Sequence, residues 1–336
     1  MPVPTPTTAE YQTLHHKAIV IDRSDRGRMW FAGQKAGEVL TGLVTNDVLA
    51  LTPGQGQYAA VLTSKGKIVS DVRIFADEGS YLVDAPPRAR DAWSATVRKF
   101  VNPRLARYMD QSDTLRVIGV FGATARHVVA EMTGVNATSA GVLPLYSHVR
   151  SDVGGVSVTV ARVPDLGLEG FDLFVPADAY ESLWQRAVDA GALAATSDVT
   201  EIARVEAGRP EFGVDMDDTT LAQEANLEEL GAISYTKGCY VGQEVVARVH
   251  FRGHVNRHLR GVRATNGDPP PAGARLVDST DGAKELGDVR SGVVSPRFGG
   301  IALAMVRREV PAGTTVLATW DGGERHVDVV PLPFVA

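Results

Sequence analysis

The sequence predicts an α+β protein that ends in a small β-barrel. Strand-like and helix-like runs alternate over the first 250 residues or so, which is typical of mixed layers. After Gly253 the residue pattern changes. Residues 268–271 (Asp-Pro-Pro-Pro) end the preceding strand, and several short strands with Gly and Pro turns follow. The length of 336 residues, with 44% hydrophobic and 22% charged residues, suits a globular chain of two or three domains.

The first unit is predicted from strand and helix periodicity. Residues 1–16 are rich in Pro and Thr and are expected to form a loose leader. Strands are expected over 18–22 and 28–31, and a helix over 34–44 with Val39, Leu40 and Leu43 facing inward. Turn signals at 65–67 and 78–79 separate the strands of a meander, and a helix with Trp93 follows; the predicted ranges are 58–63, 68–75, 81–84 and 87–101.

A second unit follows, and no internal repeat is visible in the sequence. The expected strands are 115–121, 156–163 and 171–175, and the expected helices are 124–132 and 179–190. A further helix lies within 196–210, where Asp198 and Glu201 have the spacing of a capping box and Gly208 and Pro210 stop it. A strand over 257–264 opens the barrel.

Composition limits the classes of function. The formal net charge is −6 and the pI is about 5.8, so a basic nucleic-acid-binding surface over the whole protein is not expected. A local basic strip at Arg248, Arg252, Arg257 and Arg260 keeps nucleic acid possible but not favoured. A single cysteine excludes an intramolecular disulfide. Because no signal peptide and no apolar run of about 20 residues is present, we predict a cytoplasmic protein without membrane contact.

The segment Lys237 to Glu244, with the sequence KGCYVGQE, carries the strongest chemical signal. In an extended segment Lys237 and Cys239 would share a face, and an ammonium stabilises a nearby thiolate. A helix entry near Gly242 would add to this effect. The alternative is that Cys239 is a small buried hydrophobe, as most free cysteines are.

This segment and four others resemble a known family. KGCYVGQEVVARVHFRG resembles the signature of the YgfZ family of folate-binding, iron–sulfur-related proteins, within the glycine-cleavage T-protein superfamily. Similar to that superfamily are VTNDV, GKIVSDVRIF, RVEAGRPEFGVDMDD and VRSGVVSPRFGGIALAMV, at residues 44–48, 66–75, 204–218 and 289–306. The resemblance implies a three-domain cloverleaf around a central pterin channel. We place the first domain at 17–110 plus about 195–254, the second at 111–194 and the barrel at 255–336.

The resemblance implies tetrahydrofolate or another reduced folate as the ligand. One carboxylate can accept the adjacent N–H donors of a pterin, and Asp172, or Glu169 beside it, stands at the matching place. Asp71 is disfavoured in mid-strand and would orient or protonate the ligand nitrogens. Arg204 would hold the carboxylates of the ligand. A solvated strand carboxylate at Asp172 and a surface pair of Asp71 with Arg73 are the structural alternatives.

The residues next to the cysteine complete the predicted site. Tyr240, Gln243 and Glu244 are expected to contact the ligand or tune Cys239. His250, His254 and His258 recur every four residues, but the strand-like residues 245–251 and Gly253 argue against one helical metal face, so no metal is predicted. The barrel is expected to close the channel and to carry none of the chemistry.

The leading functional hypothesis is an accessory protein for the synthesis or repair of iron–sulfur enzymes, with tetrahydrofolate bound and Cys239 and Lys237 acting at the channel mouth. Its partners would be client enzymes or cluster-assembly proteins. The first alternative is an enzyme, a T-protein-type aminomethyltransferase with Asp71 as the key acid. The second is a folate-using tRNA-modification factor. This sequence differs from true T-proteins in two ways, and both weaken the transferase hypothesis. T-proteins carry an extra N-terminal stretch ahead of the first strand, and they lack the KGC-x-x-GQE cysteine.

Overall fold

The computed structural model describes residues 8–279 and 284–334 of the chain. Its helices are α1 (Thr8–His16), α2 (Ala36–Leu43), α3 (Arg90–Phe100), α4 (Ala125–Thr133), α5 (Ala137–Val142), α6 (Tyr180–Asp189), α7 (Ser197–Glu206) and α8 (Gln243–Arg252). Its strands are β1 (Ile19–Asp22), β2 (Gly27–Ala32), β3 (Gly56–Leu62), β4 (Ile68–Asp77), β5 (Ser80–Ala85), β6 (Arg107–Asp110), β7 (Leu115–Phe121), β8 (His148–Val153), β9 (Val156–Arg162), β10 (Gly170–Pro176), β11 (Leu193–Ala194), β12 (Arg257–Ala264), β13 (Arg275–Val277), β14 (Glu285–Ser295), β15 (Gly299–Arg307), β16 (Thr315–Trp320) and β17 (Gly323–Val330).

Two open sheets and a barrel organise these strands. The first sheet has the order β3-β4-β5-β2-β6, the second β11-β1-β7-β10-β9-β8, and the closed barrel β12-β15-β14-β13-β16-β17. The prediction of an α+β body followed by a β-barrel is confirmed. β1 pairs with β7 and β11, so it belongs to the second sheet, although the predicted boundary at residue 17 assigned it to the first unit.

The two open sheets have the same topology. Each unit runs strand, helix, a second short helical segment, three antiparallel strands, a 3-10 turn, helix and strand. The sheet orders differ only in that β1 is inserted between β7 and β11. Gly33 follows β2 with a φ of 120°, and Gly122 follows β7 with a φ of 123°. The expectation of no internal repeat is therefore wrong at the level of topology. The repeat is not visible in the sequence because the two units pack different sets of side chains in their cores.

β4 is buried on both faces and positions the site. Val72 and Ile74 pack with α2 and α3 in one core, beside Leu40 and Trp93. Asp71 and Arg73 alternate with them and therefore point to the opposite face, away from those helices. That face meets the second sheet, α7 and the barrel.

The N-terminal helix α1 corrects the expectation of a loose leader. Leu14 is fully buried, and the hydroxyl of Tyr11 donates a hydrogen bond of 2.8 Å to Glu206 Oε1 at the end of α7. Ser295 of the barrel donates to the same oxygen at 2.5 Å. Residues 8–16 thus join α7 to the barrel, while residues 1–7 lie outside the described residues. No helix in the described ranges is long and apolar enough to cross a membrane.

Candidate active site

A cavity of about 860 Å³ lies where β4, α7, the second sheet and the barrel meet. This volume falls in the range of small-molecule sites. The barrel supplies part of the wall through Pro270, Pro271, Arg290, Ser291 and Gly292. The barrel therefore does more than close the space, because its Ser291 also contacts residues of the neighbouring units.

Asp71 lies on the cavity wall in the middle of β4, with 8% of its surface exposed. The hydroxyl of Tyr58 on β3 donates a hydrogen bond of 2.9 Å to Asp71 Oδ2. Oδ1 is buried and has no hydrogen-bond partner in the described chain. Burial raises the pKa of Asp71, against the charge of Arg26 and the hydrogen bond from Tyr58. Asp71 is thus a buried carboxyl group with a raised pKa and with one oxygen that has no hydrogen-bond partner in the described chain.

Two tyrosine rings lie beside Asp71. Tyr58 and Tyr146 stack with ring centroids 5.9 Å apart and an interplanar angle of 11°, and both line the cavity. Burial raises the pKa of Tyr146 to about 12, so its hydroxyl stays neutral. Tyr146 has a φ of 65°, an uncommon backbone conformation for a residue with a side chain. The sequence alone did not single out either tyrosine, because an aromatic residue in a strand or loop is usually ordinary core.

A buried network of alternating charges borders the same cavity. Arg73 on β4 reaches Asp84 with Nη2 at 2.5 Å, Asp172 with Nη1 at 2.7 Å and Asp165 with Nη1 at 3.0 Å. The network balances three arginines against three aspartates, namely Arg23, Arg26, Arg73, Asp84, Asp165 and Asp172. Arg73 is therefore committed to these aspartates, and the surface pair with Asp71 considered from the sequence does not form.

The structure places the two candidate pterin carboxylates away from the cavity wall. Asp172 is fully buried and holds Arg23 and Arg73, so it is not a solvated strand carboxylate. Arg126 Nε donates a hydrogen bond of 2.8 Å to Glu169 Oε2, and its Nη2 forms an ion pair of 2.7 Å with Oε1. Neither residue lines the cavity in the described part of the chain.

Arg204 lines the cavity, but its donors are used within the protein. Glu201 accepts bonds from Nε (2.8 Å) and Nη2 (2.6 Å). Nη1 donates to Asp215 (2.6 Å) and to the carbonyl oxygen of Arg209 (2.5 Å), and Nη2 also reaches Ser291 at 3.3 Å. A guanidinium has five N–H donors, so this arrangement leaves none for a ligand carboxylate.

Arg209 and Arg88 are better placed to meet an anionic ligand. Both line the cavity. Arg209 donates a hydrogen bond to Tyr146 and has no ion pair among the residues described here. Arg88 is half exposed, and its one recorded ion pair, to Glu211, is long at 3.4 Å.

The segment around Cys239 has a structural explanation that the sequence did not reveal. Lys237 is buried, and its ammonium donates to the carbonyl oxygens of Thr41 and Val44, the latter at 2.6 Å, at the end of α2. It lies 4.6 Å from the ring centre of Tyr240, and burial lowers the pKa of Lys237 to about 8. Cys239 is exposed, so the two side chains do not share a face as predicted.

The predicted helix entry at Gly242 is confirmed, because α8 begins at Gln243. Gly242 has a φ of 87°, and a Cβ there would lie 2.6 Å from the carbonyl oxygen of Thr63. Gln243 and Glu244 form the first turn of α8. None of the described cavity-lining residues comes from 237–244, so the structure does not bring Cys239, Lys237, Tyr240, Gln243 or Glu244 to Asp71.

α8 also corrects the strand-like interpretation of residues 245–251, which are helical. His250 Nδ1 lies 2.8 Å from Glu228 Oε1, and its ring stacks on Tyr235 with ring centroids 3.7 Å apart. The helix ends at Arg252, so His254 and His258 do not extend a face with His250. Val246 of α8 packs into the core. This packing outweighs the preference of valine for strands, so the segment is helical.

Comparisons with known proteins cover nearly the whole chain. The GCVT N-terminal domain matches residues 3–234, and the glycine cleavage T-protein C-terminal barrel domain matches residues 257–336. A protein named aminomethyltransferase from Saccharopolyspora erythraea is 30% identical over 98% of this chain and 90% of its own length. One of the same name from Rubrobacter xylanophilus is 30% identical over 97% of this chain and 85% of its own length.

A solved structure agrees with the fold. The crystal structure of glycine cleavage system aminomethyltransferase T from Bartonella henselae superimposes with a TM-score of 0.88. It covers 99% of this chain and 91% of its own, at 22% sequence identity. The T-protein fold expected from the resemblance is therefore confirmed.

These comparisons correct the leading functional hypothesis. The relatives that match over nearly full length are named aminomethyltransferase, so the prediction of an iron–sulfur accessory protein acting through Cys239 is wrong. The narrower resemblance to the YgfZ family and the tRNA-modification alternative are likewise unsupported, whereas the broader superfamily is confirmed. The chain belongs to the glycine cleavage T-protein family.

Proposed function

We propose that this protein is a folate-dependent aminomethyltransferase. The observation that carries the proposal is Asp71, a buried carboxyl group with an unpartnered oxygen on the wall of a ligand-sized cavity. Family membership supports the same conclusion, because relatives named aminomethyltransferase align along 97–98% of the chain. Buried titratable groups with shifted pKa values in a cavity are typical of functional sites.

The residues around the cavity fit a folate. Asp71 Oδ1 offers a hydrogen-bonding position for a ring nitrogen, and leaving it unpaired costs about 1–3 kcal/mol that a ligand would recover. The stacked pair Tyr58 and Tyr146 offers aromatic surface to a flat ring system. Arg209 and Arg88 suit the carboxylates at the other end of the ligand. Tetrahydrofolate, when bound, supplies the nitrogen atoms that accept a one-carbon unit.

Asp71 would hold or move the proton in such a reaction. Burial raises the pKa of Asp71, and a proton taken up by this carboxyl would sit on Oδ1, the oxygen that Tyr58 does not contact. The hydrogen bond from Tyr58 to Oδ2 fixes the carboxyl plane, so the proton at Oδ1 is presented in a constant direction. A general acid or base positioned in this way contributes about 10²–10⁴-fold to a rate. The aminomethyl donor would be a lipoyl-carrying protein, the partner that a T-protein requires.

Calorimetry tests the ligand directly. Titration of the full chain with tetrahydrofolate is expected to show saturable binding. Arg209→Ala is expected to weaken that binding by about 1–3 kcal/mol, because a charged hydrogen-bond partner is lost, while the exposed residue Arg98 provides the control Arg98→Ala. Absence of binding at millimolar ligand would remove the basis of the proposed function.

A further inference from the structure

Two carboxylates, Asp165 and Asp172, lie side by side in the buried charge network, and only one of them reaches the cavity. Asp165 lies in the loop between β9 and β10 and lines the cavity, with 22% of its side chain exposed. Asp172 on β10 has 0% exposed. Arg23 and Arg73 contact both.

Asp172 is closed off from the cavity and has an arginine beside each oxygen, although only Oδ1 accepts a hydrogen bond from the described residues. Arg23 Nη1 lies 3.2 Å from Oδ1, and Arg73 Nη1 lies 2.7 Å from Oδ2. The aminopyrimidine edge of a pterin presents adjacent N–H donors much as a guanidinium does. The two arginines therefore fill the place on Asp172 that such an edge would take. Displacing them would separate two ion pairs of a fully buried carboxylate, which is unfavourable.

Asp165 is occupied on one oxygen only. Arg23 Nη2 at 2.6 Å and Arg73 Nη1 at 3.0 Å both contact Oδ2. Burial opposes ionisation of Asp165, but the charges of Arg23, Arg73 and Arg26 outweigh it and hold the pKa of that carboxyl well below its usual range. Asp165 therefore stays an acceptor, and its second oxygen has no recorded ion pair within the described residues.

Asp165 also faces the same space as the proposed catalytic residue. Its negative charge adds to the raised pKa of Asp71 and to that of Tyr146. All three line the cavity. A ligand placed against Tyr146 and Asp71 would thus meet Asp165 rather than Asp172.

We propose that Asp165 is the specificity-determining carboxylate of this chain, which accepts the N–H donors of the ligand's aminopyrimidine ring while Arg23 and Arg73 fix its orientation. This inference rests on the proposed folate-binding function. It replaces the assignment to Asp172 or Glu169 that the family resemblance implied.

Calorimetry with two ligands and three proteins tests the proposal. The ligands are tetrahydrofolate and its 2-desamino-2-methyl analogue, which lacks the exocyclic donor. Wild type is expected to prefer tetrahydrofolate by about tenfold or more. Asp165→Asn is expected to weaken tetrahydrofolate binding by about 10- to 100-fold and to abolish the preference. Asp178→Asn, a change at an exposed carboxylate that does not line the cavity, is expected to retain both.

The outcomes separate this inference from the proposed function. If wild type binds neither ligand, the proposed function fails. If wild type binds tetrahydrofolate but Asp165→Asn keeps the preference, or weakens both ligands equally, only the role of Asp165 is overturned. If Asp165→Asn does not fold, Asp165→Glu keeps the charge between the two arginines and displaces the acceptor by one methylene. A preference lowered by at least about threefold then supports the proposal, and an unchanged preference overturns it.

Discussion

The hydroxyl of Tyr58 lies 2.9 Å from Asp71 Oδ2, across the β3–β4 ladder in which Ala60 is the direct partner of Asp71. Tyr58 and Ala60 are two residues apart on one face of β3, so the tyrosine reaches Asp71 diagonally. This contact occupies one carboxyl oxygen and leaves Oδ1 buried and unpartnered. The pair therefore decides which oxygen of Asp71 can meet a ligand and where a proton would be held.

Tyr58→Phe is expected to move the pH dependence of activity. The hydrogen bond from Tyr58 stabilises the carboxylate and lowers the pKa of Asp71, so its removal raises that pKa further. If Asp71 acts in its protonated form, the alkaline limb of the kcat/KM profile shifts to higher pH. An unchanged limb, or a shift to lower pH with the fold intact by circular dichroism, would show that Tyr58 does not control Asp71.

Much of the fold could be predicted because its strands follow local rules. β7 and β12 were predicted with the bounds that the structure has, and the meander of β3, β4 and β5 was placed by its turn signals. β8, with the sequence HVRSDV, was missed because its alternating polar residues resemble a loop. The entry of α8 was predicted, but its length was not, because its valines favour strand. The duplication of topology could not be seen, because it is a relation between backbones.

Tyr11→Phe is expected to destabilise the protein. The hydroxyl of Tyr11 is one of two side-chain donors to Glu206, which is 1% exposed. Loss of a donor to a buried carboxyl group costs about 1–3 kcal/mol in the free energy of unfolding. Urea denaturation of the full chain measures it, with the change at the exposed neighbour, Gln12→Ala, as the control. Equal stability of the two variants would mean that the hydrogen bond from Tyr11 to Glu206 does not stabilise the fold.

The site could be predicted only where one residue contradicts its local setting. Asp71 stands out because an aspartate is disfavoured in the middle of a strand. Asp165 and Tyr146 gave no such signal, since both lie in loops where their residue types are ordinary. The contacts of Asp165 depend on Arg23, which follows β1, and on Arg73 of β4, and both meet it only in the folded chain. The prediction that Lys237 and Cys239 share a face is wrong because that segment is not an extended strand.

Cys239→Ser is expected to leave folate affinity, aminomethyl transfer and stability within about twofold of wild type, because surface substitutions usually change stability by less than about 0.5 kcal/mol. The thiol is exposed and is not among the cavity-lining residues described. Lys237→Met provides the contrast. It removes the donor to the carbonyl oxygens of Thr41 and Val44 and is expected to cost about 1–3 kcal/mol in stability. A large loss of transfer in Cys239→Ser without unfolding would assign the thiol a part in the reaction.

The most direct measurement is aminomethyl transfer from a lipoyl-carrying protein to tetrahydrofolate, catalysed by wild type, Asp71→Asn and the surface control Asp91→Asn. We expect wild type and Asp91→Asn to turn over equally. Asp71→Asn is expected to keep its fold but to lose about 10²–10⁴-fold in rate, the usual contribution of a positioned acid or base. Wild-type protein that binds tetrahydrofolate yet transfers nothing, or Asp71→Asn with the wild-type rate, would contradict the assignment of Asp71 as the proton-holding residue of an aminomethyltransferase.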